Sequence, residues 1–241
     1  MALCLAASLI DCGGFDAGDQ MRRYLRWRDS GYMSSTGRCF DIGTTISSAL
    51  TRFESVGEPL AGSEHPRSAG NGCIMRLAPV PMYFFDDRGQ AIDRAAESSR
   101  TTHAAAECLD ACRLLAAVLC EALGGGSADS VLFGHGGLEI GEAKIIAVRD
   151  GDYRGKTIEE IRGSGYVADC LEAALWCFHH SQSFEEAVLM AANLGDDADT
   201  TAAVCGQVAG AYWGIEGIPP RWLKKLAGRT MIEQMAVALR T

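Results

Sequence analysis

Gly195-Asp196-Asp197-Ala198-Asp199-Thr200-Thr201 runs directly into Ala202-Ala203-Val204-Cys205-Gly206-Gln207-Val208-Ala209-Gly210-Ala211. Three carboxylates within four residues repel one another unless positive charge is held among them. The start of a helix offers one source, because an Asp at the N-cap accepts from free backbone N–H groups and meets the positive end of the helix dipole. That occupies one Asp, or two. The remaining carboxylate, beside the Thr200 hydroxyl, forms an all-oxygen set of the kind hard cations such as Mg²⁺ or Mn²⁺ take. On these residues alone, a capped buried helix and a cation site are both open. The run that follows bears on the fold: Ala202, Ala203, Gly206, Ala209 and Gly210 leave little bulk, so this helix can lie deep in a bundle with its neighbours close.

Upstream, Ser183-Phe184-Glu185-Glu186 is a capping box opening a helix that runs toward Gly195. Val167, Leu171, Ala174, Leu175 and Phe178 recur at helical spacing after the loop Gly163-Ser164-Gly165-Tyr166, and Thr157-Ile158-Glu159-Glu160 is a second capping box. Downstream, Gly214, Gly217, Pro219 and Pro220 end the small-residue helix, and 222–239 reads as a final helical region. Toward the amino end, 2–11 and 18–28 read as helices around Gly13-Gly14. The stretch 41–45 offers a cap to a helix reaching about Phe53, and 57–72 is a glycine-rich loop ending in Ser68-Ala69-Gly70-Asn71-Gly72. Residues 75–83 continue as a helix that Pro79 and Pro81 must bend or stop. Residues 94–123 are strongly helical with a break near 98–102, whereas 127–150 is hard to read apart from a loop at 134–137. No alternating run is long enough for a sheet, so the fold class is all-α, a compact orthogonal multi-helix bundle forming one domain over 1–241.

With 48% hydrophobic and 22% charged residues, the chain is globular rather than disordered. A net charge of −9 argues against nucleic acid as a partner, since phosphate contacts need a surplus of Lys and Arg. The ten cysteines are scattered with no Cys-x-x-Cys pair, which suits free thiols in a reducing, cytoplasmic setting. Met1 to Ile10 is apolar but lacks a basic leader and meets Asp11 at once, so it reads as a core helix, neither a targeting peptide nor a membrane span.

Three motifs in order carry a resemblance: Ser35-Thr36-Gly37-Arg38-Cys39-Phe40-Asp41-Ile42-Gly43, Ala69-Gly70-Asn71-Gly72-Cys73-Ile74-Met75-Arg76-Leu77-Ala78-Pro79, and Asp197-Ala198-Asp199-Thr200 with its Ala/Gly-rich helix. Together with Thr102-His103 and Gly165-Tyr166-Val167, they resemble the ADP-ribosylglycohydrolase family, in particular its branch typified by dinitrogenase reductase-activating glycohydrolase. The resemblance covers nearly the whole chain. It implies an all-α fold around a two-metal Mg²⁺ or Mn²⁺ centre that hydrolyses the bond between ADP-ribose and a protein side chain, most simply arginine. Carried onto this sequence, it makes Asp197, Asp199 and Thr200 metal ligands, with Asp197 and Asp199 catalytic. Gly70, Asn71 and Gly72 would hold the diphosphate, and His103 would stand near the nucleotide. Gly165 and Tyr166 would edge the pocket, although packing of Tyr166 into the core is a competing reading. The partners implied are an ADP-ribosylated protein and ADP-ribose, with the oligomeric state left open.

The family also carries a Thr-Asp-Asp-Thr type motif just upstream of the helix that here starts at Met1, and that motif supplies further metal ligands. The chain is therefore expected to be amino-terminally truncated relative to the family and weak as a hydrolase on its own. The alternative is a catalytically impaired relative that binds ADP-ribose or serves structurally.

Overall fold

The computed structural model describes residues 1–240. Helix α1 (Ala2–Cys12) ends at Gly13, whose φ of 65° makes a left-handed turn, and α2 (Ala17–Ser30) starts from Asp16, whose side chain accepts from the Asp19 N–H. Helix α3 (Thr44–Val56) begins at Gly43 with no capping side chain, so the cap expected from 41–45 is not made. The stretch 75–83 is not one bent helix. A 3₁₀ turn over Asn71–Arg76 comes first, and Pro79 then opens α4 (Pro79–Tyr83), where a missing N–H costs no helical bond.

Helices α5 (Arg88–Arg100) and α6 (Ala106–Leu123) are separated by 101–105, slightly later than the expected break. The stretch 127–150 contains two short helices, α7 (Ala128–Phe133) and α8 (Ala143–Asp150), too short for periodicity to reveal. Then follow α9 (Val167–His179), α10 (Phe184–Ala192) and α11 (Ala198–Trp213). The carboxy-terminal region is two helices rather than one, α12 (Pro220–Leu223) and α13 (Arg229–Ala238). Among the described residues there is no sheet, only two isolated bridges, Ser63 with His103 and Gly70 with Tyr166. The all-α multi-helix bundle expected from the sequence is what forms.

Helix α6 is the hub. Its Leu114, Leu115 and Leu119 are buried among residues of α4, α5, α9 and α11, each contributing about 1.5–3 kcal/mol of apolar burial. The small-residue stripe of α11 lies against α10: a Cβ added at Gly206 or Gly210 would meet Val188 or Phe184 at 3.7 and 3.8 Å. Gln207 fastens the same helix to the 71–76 turn, its amide donating to Ile74 O and accepting from the Ala78 N–H.

A second, smaller apolar cluster gathers Cys4, Met21, Tyr24, Ile46, Ala49, Leu50 and Ala61 from α1, α2, α3 and the following loop. Helix α1 serves both clusters, since Leu5 and Leu9 face the main one. The seam between them is where the loops 41–46, 70–72 and 163–166 meet the start of α11. Among the described residues no helix is long and apolar enough to cross a membrane.

Candidate active site

A cleft of about 500 Å³ opens along this seam. Its wall includes Met1, Ala2 and Trp27 from α1 and α2, residues 41–46 at the start of α3, Gly70, Asn71, Gly72, Met75 and Arg76, together with His103, Gly165, Asp197 and Thr200. Most of the residues singled out from sequence therefore converge on one space, from segments more than a hundred positions apart.

The entry to α11 explains how Asp197 reaches it. Gly195 and Asp196 both take left-handed backbone, φ 83° and 53°, a conformation Gly adopts freely and Asp tolerates. The turn is closed by the Asp197 N–H donating to Gly163 O at 2.8 Å. Asp197 then occupies the N-cap, but its carboxylate makes no cap bond. The expectation that these aspartates cap the helix is thus not met at Asp197. Its Oδ2 instead accepts from Asn71 Nδ2 at 2.7 Å, and the same amide donates to Ser164 O at 3.3 Å. The first-turn role falls to the Asp197 carbonyl, which accepts from the Thr201 N–H and hydroxyl, both at 3.0 Å. Gly163 permits this closeness: a Cβ there would lie 2.8 Å from Thr201 Oγ1.

The loop Gly70-Asn71-Gly72 is stitched to the same region. The Gly70 N–H donates to Ser68 O and the Asn71 N–H to Gly165 O, while the Val167 N–H donates to Ala69 O. Not all of the loop's amides are therefore available to an anion. The Gly72 N–H precedes the first i→i+3 bond of the 3₁₀ turn and is the amide left over. Gly72 lies tight against its surroundings, since a Cβ on it would come within 2.9 Å of His103 Cε1 and 3.1 Å of Ile46 Cδ1. His103 is buried, and burial drives its ring down to about 4; the Cys73 thiol opposes this and the Arg76 guanidinium adds to it.

Two of the expected site residues stand apart. Tyr166 is not part of the cleft wall: it packs against the main core, its hydroxyl donates to Glu107, and Lys144 Nζ sits 4.3 Å from its ring centroid. Asp199 is exposed in the first turn of α11, outside the lining of the cleft. Conversely, Arg76, Thr44, Thr45 and Trp27 line it and were not singled out. Arg76 lies inside a motif that was noticed for its glycines, so only its charge hinted at a role.

The donor chemistry available to a cation is oxygen throughout: Asp197, the neighbouring Asp199 and the Thr200 hydroxyl. That suits Mg²⁺ or Mn²⁺ in kind. It is short in number, because among the described residues no group of three or more His, Cys, Asp or Glu side chains is placed to hold a metal ion.

The model of the family described as ADP-ribosylglycohydrolase matches residues 1–241. The chain is 39% identical over 239 residues to ADP-ribosylarginine hydrolase Tri1 of Pseudomonas putida (strain GB-1), spanning 99% of this chain and 64% of that protein. It is 38% identical to the protein of the same name in Serratia proteamaculans (strain 568), spanning 65% of it. It is also 27% identical over 228 residues to ADP-ribosyl-[dinitrogen reductase] glycohydrolase of Rhodospirillum rubrum, 94% of this chain and 71% of that one. A solved structure titled ADP-ribosylglycohydrolase-related protein complex superposes with a TM-score of 0.85 at 41% identity, over 99% of this chain and 78% of that chain. This chain thus spans less than two thirds of the length of the two Tri1 relatives. With the family model matched from end to end, a shared helical fold and the three motifs meeting at one cleft, the chain belongs to the ADP-ribosylglycohydrolase family.

Proposed function

We propose that the cleft receives the ADP-ribose of an ADP-ribosylated protein and that, with a divalent cation, this site hydrolyses the N-glycosidic bond to arginine. The observation that carries this reading is the joining of the Gly70-Asn71-Gly72 loop to Asp197 through one hydrogen bond within one cleft. The names of the relatives, two of them ADP-ribosylarginine hydrolases, support arginine as the linkage. Eight of the ten free cysteines are buried, in keeping with a reducing, cytoplasmic setting.

The residues divide the work by chemistry. The Gly72 amide offers a donor to the diphosphate at a helical start. Asp197, Asp199 and Thr200 would hold Mg²⁺ or Mn²⁺, which when bound supplies a Lewis acid to orient the ribose hydroxyls and polarise water. Asn71 holds one Asp197 oxygen, which leaves the other free for the cation. Water oxygen bonds to ribose C1 as the C1–N bond breaks, and the proton the water loses passes to an Asp carboxylate and from there to the guanidine nitrogen as it leaves with the bonding pair. The Asp carboxylates also offset the positive charge that develops on the sugar.

The test is release of free ADP-ribose from an ADP-ribosylarginine protein in the presence of Mg²⁺ or Mn²⁺. The expected result is cation-dependent release that Asp197→Asn abolishes; release unaffected by that variant would overturn the reading. The small number of acidic ligands favours a second reading, an ADP-ribose-binding relative without turnover. Tight ADP-ribose binding with no release by any form of the protein would favour it.

A further inference from the structure

Behind the cleft lies a guanidinium with no acid beside it. Arg76 is 2% exposed, and among the described residues no carboxylate lies within 4 Å of it. Its acceptors are neutral: Gly72 O at 3.4 Å, Ser98 O at 3.3 Å, Thr101 Oγ1 at 3.2 Å and Thr102 Oγ1 at 2.7 Å, and its Nε–H is buried without a partner. A buried cation lacking a counter-charge is costly, which makes the adjoining cleft favourable for an anion.

The shortest of these bonds fixes the direction of a longer chain. A guanidinium only donates, so Thr102 Oγ1 accepts there. The Thr102 hydroxyl has one proton, it is fully buried, and its other short contact is His103 Nδ1 at 2.8 Å. A buried hydroxyl proton goes to an acceptor, and that acceptor is Nδ1. Burial keeps the ring neutral, so its own proton must sit on Nε2. Nε2 is the atom turned to the loop: a Cβ on Gly72 would lie 3.1 Å from it and one on Gly70 3.5 Å.

We infer that Arg76 and Thr102 are positioning residues that hold His103 as the Nε2–H tautomer and aim that N–H at an anionic group of the ligand beside Gly70 and Gly72. Arg76 orders Thr102, Thr102 orders the ring, and the ring presents one donor where a carbonyl or an imine nitrogen would repel a phosphate. The tautomer stands on the hydrogen bonds alone; only its effect on affinity rests on the cleft being the ADP-ribose pocket.

The experiment is long-range ¹H–¹⁵N spectroscopy of the histidine rings in the 241-residue chain, with His103 assigned through His103→Gln, alongside calorimetric titration of ADP-ribose. In the wild type and in Thr102→Ser, His103 is expected as Nε2–H at neutral pH. Thr102→Val is expected to shift the tautomer ratio and to weaken ADP-ribose about tenfold, the order of one lost hydrogen bond, with Thr102→Ser restoring both. A wild-type His103 protonated on Nδ1, or doubly protonated, overturns the inference, even if Thr102→Val does not fold. So does a Thr102→Val chain with unchanged tautomer and affinity. Failure of the wild type to bind ADP-ribose while His103 is Nε2–H counts against the nucleotide reading of the cleft and supports the relay.

Discussion

Asn71 and Asp197 are 126 positions apart and joined by a 2.7 Å bond from Nδ2 to Oδ2. It is a charge-assisted bond, of the kind worth about 1.5–3 kcal/mol, and it sets the orientation of a carboxylate that would otherwise turn back to cap its own helix. Asn71→Ala is therefore expected to weaken Mn²⁺ binding about tenfold. Asn71→Asp should instead strengthen it, since two carboxylates side by side repel until a cation is held between them. Electron paramagnetic titration of Mn²⁺ measures both; equal affinity in all three proteins would show that Asp197 does not need this donor.

Gly72 is a site of close approach. A methyl group there would press on His103 Cε1 and Ile46 Cδ1 at 2.9 and 3.1 Å. Both neighbours are buried and packed, so neither gives way freely. Gly72→Ala is expected to lower stability by about 1–3 kcal/mol and to reduce ADP-ribose affinity, as read by chemical denaturation and calorimetry.

His103 makes stability depend on acid. Its pKa is held at about 4, below the 6.5 of a free imidazole, chiefly by burial. Folding thus favours the neutral ring. The resulting stabilisation is fully present above 6.5 and is lost as the pH falls toward about 4, an effect of about 3 kcal/mol at most. Burial also lowers His135 and His179, so the slope has more than one source. Comparing unfolding midpoints between pH 6.5 and 4, His103→Gln should show a shallower fall than the wild type. Equal slopes would mean that His103 is not the buried titrating group.

The amino end shares the cleft wall with Asp197 and Thr200, because Met1 and Ala2 line it too. Burial lowers the pKa of the Met1 amino group, since a buried ammonium loses its hydration. Acetylating that amine removes the charge and is expected to raise the midpoint of thermal unfolding at neutral pH relative to the free amine; an unchanged midpoint would contradict it.

Much of this architecture could be read from the residues. The long helices α6, α9 and α11 declare themselves by their apolar and small-residue patterns, and α6 and α11 also by the glycines that follow them, Gly124 and Gly214. The short α7 and α8 do not, because six or eight residues hold too few turns for a pattern to show. At the site, residue types pointed to Asp197, Thr200 and the 70–72 loop, but no local signal tells that an aspartate at a helix start will pair with a distant amide instead of its own backbone. Tyr166 illustrates the converse. Its place beside Gly165 suggested the pocket edge, yet Glu107 and the core hold it elsewhere. Arg76 was invisible as a site residue because its lack of a carboxylate partner exists only in three dimensions.

The central claim is that one cation-dependent ADP-ribose site is built where Asp197 meets the 70–72 loop. Titration of ADP-ribose into the 241-residue chain, with Mn²⁺ and with chelator, addresses it most directly. Binding strengthened at least about tenfold by the cation, with that gain absent in Asp197→Asn, is the predicted result. No binding, or binding indifferent to both the cation and Asp197, would contradict it.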